Sequence, residues 1–401
     1  MIPRHRPPFG VGTAIASMFT SFGYGNAERV EKEFSEAFEI DNVVLVPSAR
    51  AGISWALKVS LAPGERVLCP VYTCQVVHEA VVRSGTSLYM LDTQKDSFLM
   101  DQATLCSDEF KKYAVILCEI YGHIYDLPSN KSCDDSTLRI VDMAMTVPSK
   151  KLLARLIKND VGILSFGIGK CVYAGWGGMC FTRNGDIAKE IRRLRDSLIT
   201  KATVQGTLKR AAQILMRTAA HNRLIYGYLR KQQEARLQPK KPETRPNNYF
   251  EKWKDEGTLS QEWRMPSTTP DLKLICHNIR NAERYSEKRI RLAEKYRENL
   301  RGFKHLVLPN DSSFPLSHYT VRVAPHLRST LRNQLWKDGI DVGCLFHLPS
   351  YAAPCDYPSA AAIASQVINL PLTPSLSISE VNYISDKLMS CIKHCASRIL
   401  F

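Results

Sequence analysis

Short apolar runs alternate with helical patterns through the first two-thirds of the chain. The helical patterns are stretches where apolar positions recur every three or four residues, as in 49–61 and 73–85. The apolar runs predict strands over residues 42–47, 66–70, 87–92, 113–119, 138–143 and 161–166. This alternation predicts an α/β fold, a large domain with a mostly parallel central sheet wrapped by helices.

The remainder of the chain has a different pattern. Residues from about 186 to 240 are helical and basic, and a proline-rich stretch then interrupts the pattern. Further elements are predicted beyond it: a long charged helix at 271–300, strands at 317–323 and 367–372, and helices at 327–338 and 377–400. We therefore predict a large domain over 1–245, with a basic helical segment at about 197–245, and a smaller C-terminal α+β domain over 246–401.

Composition narrows the class of protein. The chain has 401 residues, of which 44% are hydrophobic and 23% charged, and this balance excludes intrinsic disorder. No apolar run reaches the ~18 residues of a membrane span, and no apolar segment follows the basic start as in a secretory signal. None of the twelve cysteines forms a Cys-x-x-Cys pair, so we expect no metal site and no structural disulfide. The chain is expected to be cytoplasmic.

Positive charge is concentrated in one segment. The formal net charge is +15, and residues 201–245 hold eleven Lys and Arg against Glu234 and Glu243. Apolar and basic residues alternate there at helical spacing, which predicts an amphipathic hairpin with its apolar side on the enzyme and its basic side outward. A substrate phosphate, an anionic membrane surface or plain solvent could face these charges, whereas nucleic acid is disfavoured because aromatic residues are sparse. Peripheral membrane contact beside a cytoplasmic active site is one hypothesis for this segment, and a solvated surface is the alternative.

Three groups at predicted strand ends suggest one chemistry. Lys170 stands alone in a glycine-bearing loop after the strand that ends at Ser165, and such a lysine can be desolvated and made nucleophilic toward a carbonyl. Asp142 ends another strand 28 residues earlier. Ser48 opens a helix directly after a strand, with Arg50 nearby, and forms a plausible phosphate cradle. Pyridoxal phosphate requires these three things: a Schiff-base lysine, a partner for its pyridinium and an anion site.

The order and context of these groups resemble a known family. The sequence is similar to the sugar-nucleotide aminotransferases of the DegT/DnrJ/EryC1/StrS type, nearly end to end from Asn26. The most specific matches are Ser-Phe-Gly-Ile-Gly-Lys at 165–170 and the following Gly177-Gly178. The resemblance implies the type I fold of pyridoxal-phosphate-dependent transferases, with a homodimer whose active sites lie at the dimer interface.

The same resemblance implies roles for individual residues. Lys170 would form the Schiff base and shuttle the proton, and Asp142 would keep the pyridine nitrogen protonated. Ser165 would bind the cofactor phosphate through its hydroxyl, and the backbone amides of Ala49 and Arg50 would cradle that phosphate.

The sequence also departs from the family pattern. Cys74 stands where an aromatic residue usually stacks on the ring, Met145 where a glutamine contacts the ring hydroxyl, and Trp176 where a glutamate is usual. Arg264 is the candidate for a residue donated across the dimer, and His347 lies where the family has a substrate loop. Trp176, Arg264 and His347 are therefore the candidates for substrate contact. These changes retain the residues expected to bind the cofactor but leave the identity of the substrate undetermined, as expected of a divergent branch of the family.

The resemblance implies transfer of an amino group from glutamate to a keto-sugar nucleotide by a ping-pong mechanism. Relatives that dehydrate or deoxygenate a keto-sugar have histidine in place of the lysine, so Lys170 argues against that activity. A different acceptor, such as a lipid-linked one, stays open. A non-catalytic regulatory relative is the remaining alternative, and the retention of Lys170 and Asp142 argues against it.

Overall fold

A single large sheet organises the protein. The computed structural model describes residues 1–19, 27–105, 107, 109–110, 112–126, 137–236, 261–310 and 313–397. Seven strands of this part form the sheet: β1 Asn42–Val46, β2 Arg66–Pro70, β3 Ser87–Leu91, β4 Ala114–Cys118, β5 Arg139–Asp142, β6 Asp160–Ser165 and β7 Gly178–Thr182. Their spatial order is β1-β7-β6-β5-β4-β2-β3, in which β7 alone runs antiparallel to its neighbours.

Helices cover both faces of this sheet. The N-terminal helices are α1 Val11–Phe19, α2 Ala27–Phe38, α3 Ala49–Ser60, α4 Gln75–Arg83, α5 Gln102–Leu105 and α6 Lys150–Leu153. The basic segment holds α7 Gly185–Leu198, α8 Val204–Ala220 and α9 Arg223–Arg236. The side chains of Asn184 and Thr203 accept hydrogen bonds from backbone N–H groups in the first turns of α7 and α8, so these residues act as N-caps and divide the segment.

The C-terminal part is built on a second, two-stranded sheet. Its helices are α10 Gln261–Arg264, α11 Thr269–Leu300, α12 Pro325–Lys337, α13 Pro358–Gln366 and α14 Ile378–Ser397. Strands β8 Tyr319–Arg322 and β9 Val367–Leu370 pair antiparallel. Their apolar side chains share a core with the C-terminal half of α11, with α12 and with α14.

Long-range packing connects the two parts. The N-terminal half of α11 packs in the core on one face of the large sheet, and its C-terminal half packs in the core of the small sheet. Ile2 is also buried in the small core, because its N–H donates to Gly339 O (2.7 Å) and its carbonyl accepts from Asp341 N (3.0 Å). The N-terminus is therefore anchored on the C-terminal part. The domain division at 245/246 stays a prediction, since that boundary lies outside the described residues.

The predicted α/β architecture is confirmed. All six predicted strands of the large sheet are present within a few residues of their expected bounds, and the small C-terminal sheet is present as well. The antiparallel β7 was not predicted as a strand. It begins at Gly178, and the chain reverses between β6 and β7 through residues 166–177, in which Gly175 and Gly177 have positive φ.

The expectations for membrane spans, metal sites and disulfides can be compared with the described residues. No helix there is both long and apolar enough to span a bilayer. No cluster of three or more His, Cys, Asp or Glu side chains in that part is arranged to hold a metal ion. The cysteines within it are free thiols, and most of them are buried.

Asp271 is a buried carboxylate at the start of α11. Its Oδ2 accepts from the backbone N–H and from the hydroxyl of Thr268, both at 2.7 Å, and it lies 3.8 Å from Arg210 Nε. Asp271→Ala removes this cap and leaves the Arg210 guanidinium buried without its carboxylate. The free energy of unfolding should fall by about 2–4 kcal/mol.

The measurement is urea denaturation of both variants, with Asp186→Ala as the control. Asp186 also lies in the first turn of a helix, α7, but its side chain is exposed. Its removal should change stability by about 0.5 kcal/mol or less. Equal losses in the two variants would contradict a structural role for the buried pair.

Candidate active site

The carboxyl ends of β4, β5 and β6 lie side by side at one edge of the large sheet. Cys118 and Asp142 are Cα partners in β4 and β5, and Asp142 is in register with Ile163 of β6. Ser165 at the end of β6 pairs with Gly178, which in turn pairs with Val46 of β1. The register therefore brings Asp142, Ser165 and the start of α3 to the same edge, as is usual for ligand sites in α/β sheets.

Asp142 is held in a fixed orientation at this edge. Its Oδ1 accepts a hydrogen bond of 2.9 Å from the backbone N–H of Ala144. Burial raises the pKa of Asp142, while the positive charge of Lys170 and the Ala144 N–H both lower it. The charge of Lys170 thus favours the ionised carboxylate, and a second cation placed beside Asp142 would keep it ionised.

Lys170 lies in a closed loop between β6 and β7. The Phe166 N–H donates to Gly177 O, and the Ala174 N–H donates to Phe166 O, both at 3.0 Å, so the two ends of the loop are tied together. Gly169 has φ +77°, a left-handed conformation that glycine adopts without strain, immediately before the lysine. The loop leaves the Lys170 side chain half-buried.

The N-terminus of α3 forms an anion-binding geometry beside Ser165. The Ser48 hydroxyl accepts from the Ala51 N–H at 3.3 Å, and helix N-termini present unpaired N–H groups and a partial positive charge. A Cβ added to Gly178 would lie 2.5 Å from Ala49 N and 2.6 Å from the Ser48 carbonyl carbon. Glycine at 178 therefore allows the helix start to lie directly against the sheet edge.

Two of the predicted cofactor contacts lie beside this edge. Cys74 is half-buried at the residue before α4, and its side chain makes no capping hydrogen bond there. Met145 is buried three residues after Asp142, and its carbonyl oxygen lies 3.5 Å from the Cys171 thiol. Arg50 occupies the second position of α3 and is half-buried.

The three substrate candidates each have contacts of their own. Trp176 packs under the Arg210 guanidinium, 5.0 Å from the ring centre, between α8 and α11. Arg264 is exposed, and its carbonyl accepts from the Thr200 N–H (3.1 Å). His347 is exposed after Phe346, and partial burial lowers its pKa. Among the described residues, none of the three forms a hydrogen bond or ion pair with Lys170 or Asp142. Their roles in substrate binding stay predictions.

The sequence did not indicate a buried ion pair behind Asp142. Glu119 directly follows β4, donates its N–H to Asp142 O (3.0 Å) and accepts from Arg155 Nη2 at 2.5 Å. Burial raises the pKa of Glu119 to about 7, and Arg155 lowers it. The sequence offered one signal of this pair, a charged residue at the end of an apolar strand. Its partner could not be identified from a local pattern, because Arg155 comes 36 residues later.

The basic hairpin is oriented differently from the prediction. In the described part of the segment, Arg210 is buried near Asp271, and Arg217 and Arg230 line a cavity beside Lys170. The outward face of α8 is apolar instead, with Val204, Leu208 and Met216 exposed by 75%, 65% and 65%. The prediction that the apolar side packs inward was wrong, because the arginines are held by the buried Asp271 and by the cavity.

Lys201, Lys209 and Lys231 are the exposed cations of the described part of the hairpin. The side chains of Arg223 and Arg236, and Lys240, Lys241 and Arg245, lie outside the described residues. Fewer cations than the sequence suggests therefore face outward along the described length of the hairpin.

Known structures share this fold along the whole chain. Spr1654 of Streptococcus pneumoniae, described as a sugar aminotransferase, is 17% identical in its apo form over 100% of both chains, with a TM-score of 0.73. The aminotransferase TlmJ of Streptoalloteichus hindustanus is 18% identical over 98% of this chain and 100% of that one, with a TM-score of 0.70. DesV of S. venezuelae is 19% identical over 95% and 93%, with a TM-score of 0.66.

At these identities the structural likeness establishes the fold. Spr1654 has also been solved in forms with pyridoxal phosphate and with pyridoxamine phosphate. The family model of the DegT/DnrJ/EryC1/StrS aminotransferases matches residues 12–218 and 248–389 of this chain. The match includes all seven strands of the large sheet and the Lys170 loop. The chain therefore belongs to the DegT/DnrJ/EryC1/StrS aminotransferase family.

Proposed function

We propose that this protein uses pyridoxal phosphate to transfer an amino group from glutamate to a keto-sugar nucleotide. The observation that carries the proposal is that Asp142 and Ser165 end neighbouring strands at the carboxyl edge of the sheet, next to the N-terminus of α3, and that the positive charge of Lys170, in the loop after Ser165, lowers the pKa of Asp142. A lysine amine, a buried carboxylate and an anion site are the groups that this cofactor needs, and the chain supplies all three within one edge.

The residues fit the cofactor in chemistry and in order. The N-terminal amides of α3 and the hydroxyls of Ser48 and Ser165 would hold the phosphate, since an anion at a helix N-terminus is favoured. Asp142 would face the ring nitrogen, whose proton would offset the burial that raises the pKa of this carboxyl. Cys74 and Met145 would contact the ring, and neither can supply aromatic stacking.

The chain's own residues would perform the proton transfers. When bound, the cofactor supplies an electron sink for the charge that develops as the donor loses its Cα proton. The Lys170 amine would take that proton and return it during transfer to the acceptor ketone. Asp142 would keep a proton on the ring nitrogen through both halves of the ping-pong reaction. The closed 166–174 loop would hold the lysine in position during both proton transfers.

The experiment is an absorbance titration followed by a substrate screen. Glutamate added to the protein loaded with pyridoxal phosphate should shift the cofactor absorbance, and a panel of keto-sugar nucleotides should then yield an aminated product detectable by mass spectrometry. A dehydrated product would support the dehydratase alternative, and amination of lipid-linked acceptors alone would revise the substrate. No spectral shift with any amino donor would support the non-catalytic alternative and refute transamination.

Gly178→Ala tests the proposed phosphate site. The added Cβ would displace backbone atoms of Ser48 and Ala49, so the Kd for pyridoxal phosphate should rise by about tenfold or more. Gly185→Ala is the matched control, because its Cβ would lie 3.7 Å from its nearest neighbour, Asn42 Oδ1. Absorbance titration measures both affinities. Unchanged affinity in Gly178→Ala would place the phosphate elsewhere.

We propose that the protein is a homodimer in which the exposed apolar face of α8 is covered by a second copy. Light scattering should give twice the 45.3 kDa chain mass. Leu208→Asp places a charge on this face and should shift the mass toward that of the monomer, whereas Lys209→Asp, the adjacent exposed residue, should not. A fully active wild-type monomer would contradict the proposal.

Peripheral contact with an anionic membrane is the second candidate for this face. It is supported by exposed Lys201 and Lys209 beside the apolar residues of α8. Co-sedimentation with anionic but not neutral vesicles, lost in Leu208→Asp, would support it. Equally negligible binding to both kinds of vesicle would exclude it. The cytoplasmic location stays a prediction.

A further inference from the structure

A cavity of about 440 Å³ is lined by Lys170, and its lining includes neither Asp142 nor Ser165. Three distant parts of the chain enclose it with the Lys170 loop: the N-terminal residues 4–7, the hairpin α8–α9, and the C-terminal part. Its lining holds six cationic side chains and, among the described residues, no carboxylate. These are Arg4, Arg6, Lys170, Arg217, Arg230 and Arg289.

Only part of this charge is balanced within the protein. Glu380 lies 3.7 Å from Arg6, and Asp341 lies 3.5 Å from Arg230. Over the described residues, no carboxylate is within ion-pair distance of Arg4, Arg217 or Arg289. Clustered cations that are partly removed from water are unfavourable unless an anion joins them.

Arg289 lines this cavity, and hydrogen bonds to backbone carbonyls fix its side chain. It is 4% exposed, and its Nη1 donates to the carbonyl oxygens of Leu316 (3.2 Å) and Ser317 (3.0 Å). Its Nε is buried and has no hydrogen-bond partner among the described residues. This Nε–H is therefore a donor available to a ligand.

Burial and the positive charges around the cavity lower the pKa values of two nearby histidines. Burial, Arg4 and Arg289 lower the pKa of His5 to about 3. Burial, His5 and the same two arginines hold the pKa of His318, whose ring centre is 4.8 Å from that of His5, well below its usual value. Both rings are therefore neutral near pH 7, and the arginines carry the positive charge. An anion in the cavity would be met by guanidinium groups, whose forked N–H donors match phosphate oxygens.

We propose that this cavity binds a diphosphate group, which Arg4, Arg217 and Arg289 of three different chain segments contact. Several guanidinium groups surround this cavity, and their combined positive charge is more than one bound carboxylate would neutralise. The volume is in the range of small-molecule sites. Because Lys170 borders both regions, a diphosphate held here would place a linked ketone near the lysine. This last step rests on the proposed function, while the anion site itself does not.

The test is calorimetric titration of the full-length protein with inorganic pyrophosphate. Arg217→Ala should weaken binding by about 10–100-fold, as expected for the loss of a charge-assisted contact, and Arg217→Lys should weaken it less. Lys209→Ala removes an exposed cation of the same helix and should change the Kd less than about twofold. Arg4→Ala provides a second variant in a different chain segment, should Arg217→Ala disturb the hairpin. Equal binding by all variants would overturn the proposal.

Competition distinguishes the source of the diphosphate. Uridine diphosphate should displace pyrophosphate if the group belongs to a nucleotide acceptor, whereas displacement by pyrophosphate alone would reassign the cavity to a free anion. Displacement by glutarate at similar concentrations would overturn the diphosphate assignment in favour of a carboxylate. Pyrophosphate binding without any amination would refute the proposed function and leave this site standing, so the two failures are distinguishable.

Discussion

Lys170→Ala is expected to lower the rate of transamination by at least about 10³-fold, the scale of losses when an enzyme loses its nucleophile or proton-transfer group. The amine has two proposed tasks, bonding to the cofactor and moving the donor's proton, and alanine can do neither. The phosphate contacts of α3 and Ser165 are untouched, so the variant should still bind pyridoxal phosphate without the covalent link. Steady-state kinetics and the absorbance spectrum of the bound cofactor measure the two effects separately.

Two further variants sharpen this prediction. Lys170→Arg retains a positive charge near Asp142 but cannot lose a proton near neutral pH, so it should be as inactive as the alanine variant. Lys189→Ala removes an exposed lysine of α7 and should leave the rate unchanged. Substantial activity in either Lys170 variant would refute the proposed mechanism.

Asp142→Ala is expected to lower kcat by roughly 10²–10⁴-fold, the range for removing a group that controls a proton in the reaction. The carboxylate would stabilise a protonated ring nitrogen, and without it the ring accepts electrons poorly. Asp142→Asn retains the size of the side chain and an oxygen for the Ala144 N–H, so it removes mainly the charge. A similar loss in both variants would identify charge as the cause.

Asp92 supplies the matched control for Asp142. It also follows a strand of the large sheet, β3, but its carboxylate accepts from the N–H groups of Ser359 (2.9 Å) and Ala360 (2.8 Å) at the start of α13. Asp92→Asn should therefore reduce stability while kcat stays within about threefold of wild type. Near-normal turnover in Asp142→Ala would show that another acid holds the ring, and the adjacent buried Glu119 would then be the first to test.

The sequence predicted the sheet because each strand is a local feature. An apolar run between turn residues is complete within about six positions, and strand ends follow directly from where that run stops. Asp142, Ser165 and Ser48 could be assigned to one edge because the carboxyl ends of parallel strands meet there. The family motif around Lys170 added the chemistry, since its residues are contiguous.

Contacts between distant segments could not be read in this way. Glu119 and Arg155 pair behind Asp142 across 36 positions, and no local pattern connects them. Helical periodicity placed apolar and basic residues of α8 on different faces, but it did not say which face points inward. The buried Asp271, which comes from α11, draws in Arg210 and so turns the apolar face outward.

The sequence by itself therefore determined the α/β architecture and placed the candidate carboxylate and the candidate lysine at the ends of strands of one sheet edge, because these features depend on short-range patterns and strand order. Tertiary structure alone decided that Arg4, Arg217 and Arg289 surround one cavity beside that lysine. Those residues belong to segments separated by many tens of residues, and their charges meet only because the hairpin, the N-terminus and α11 pack around the same loop.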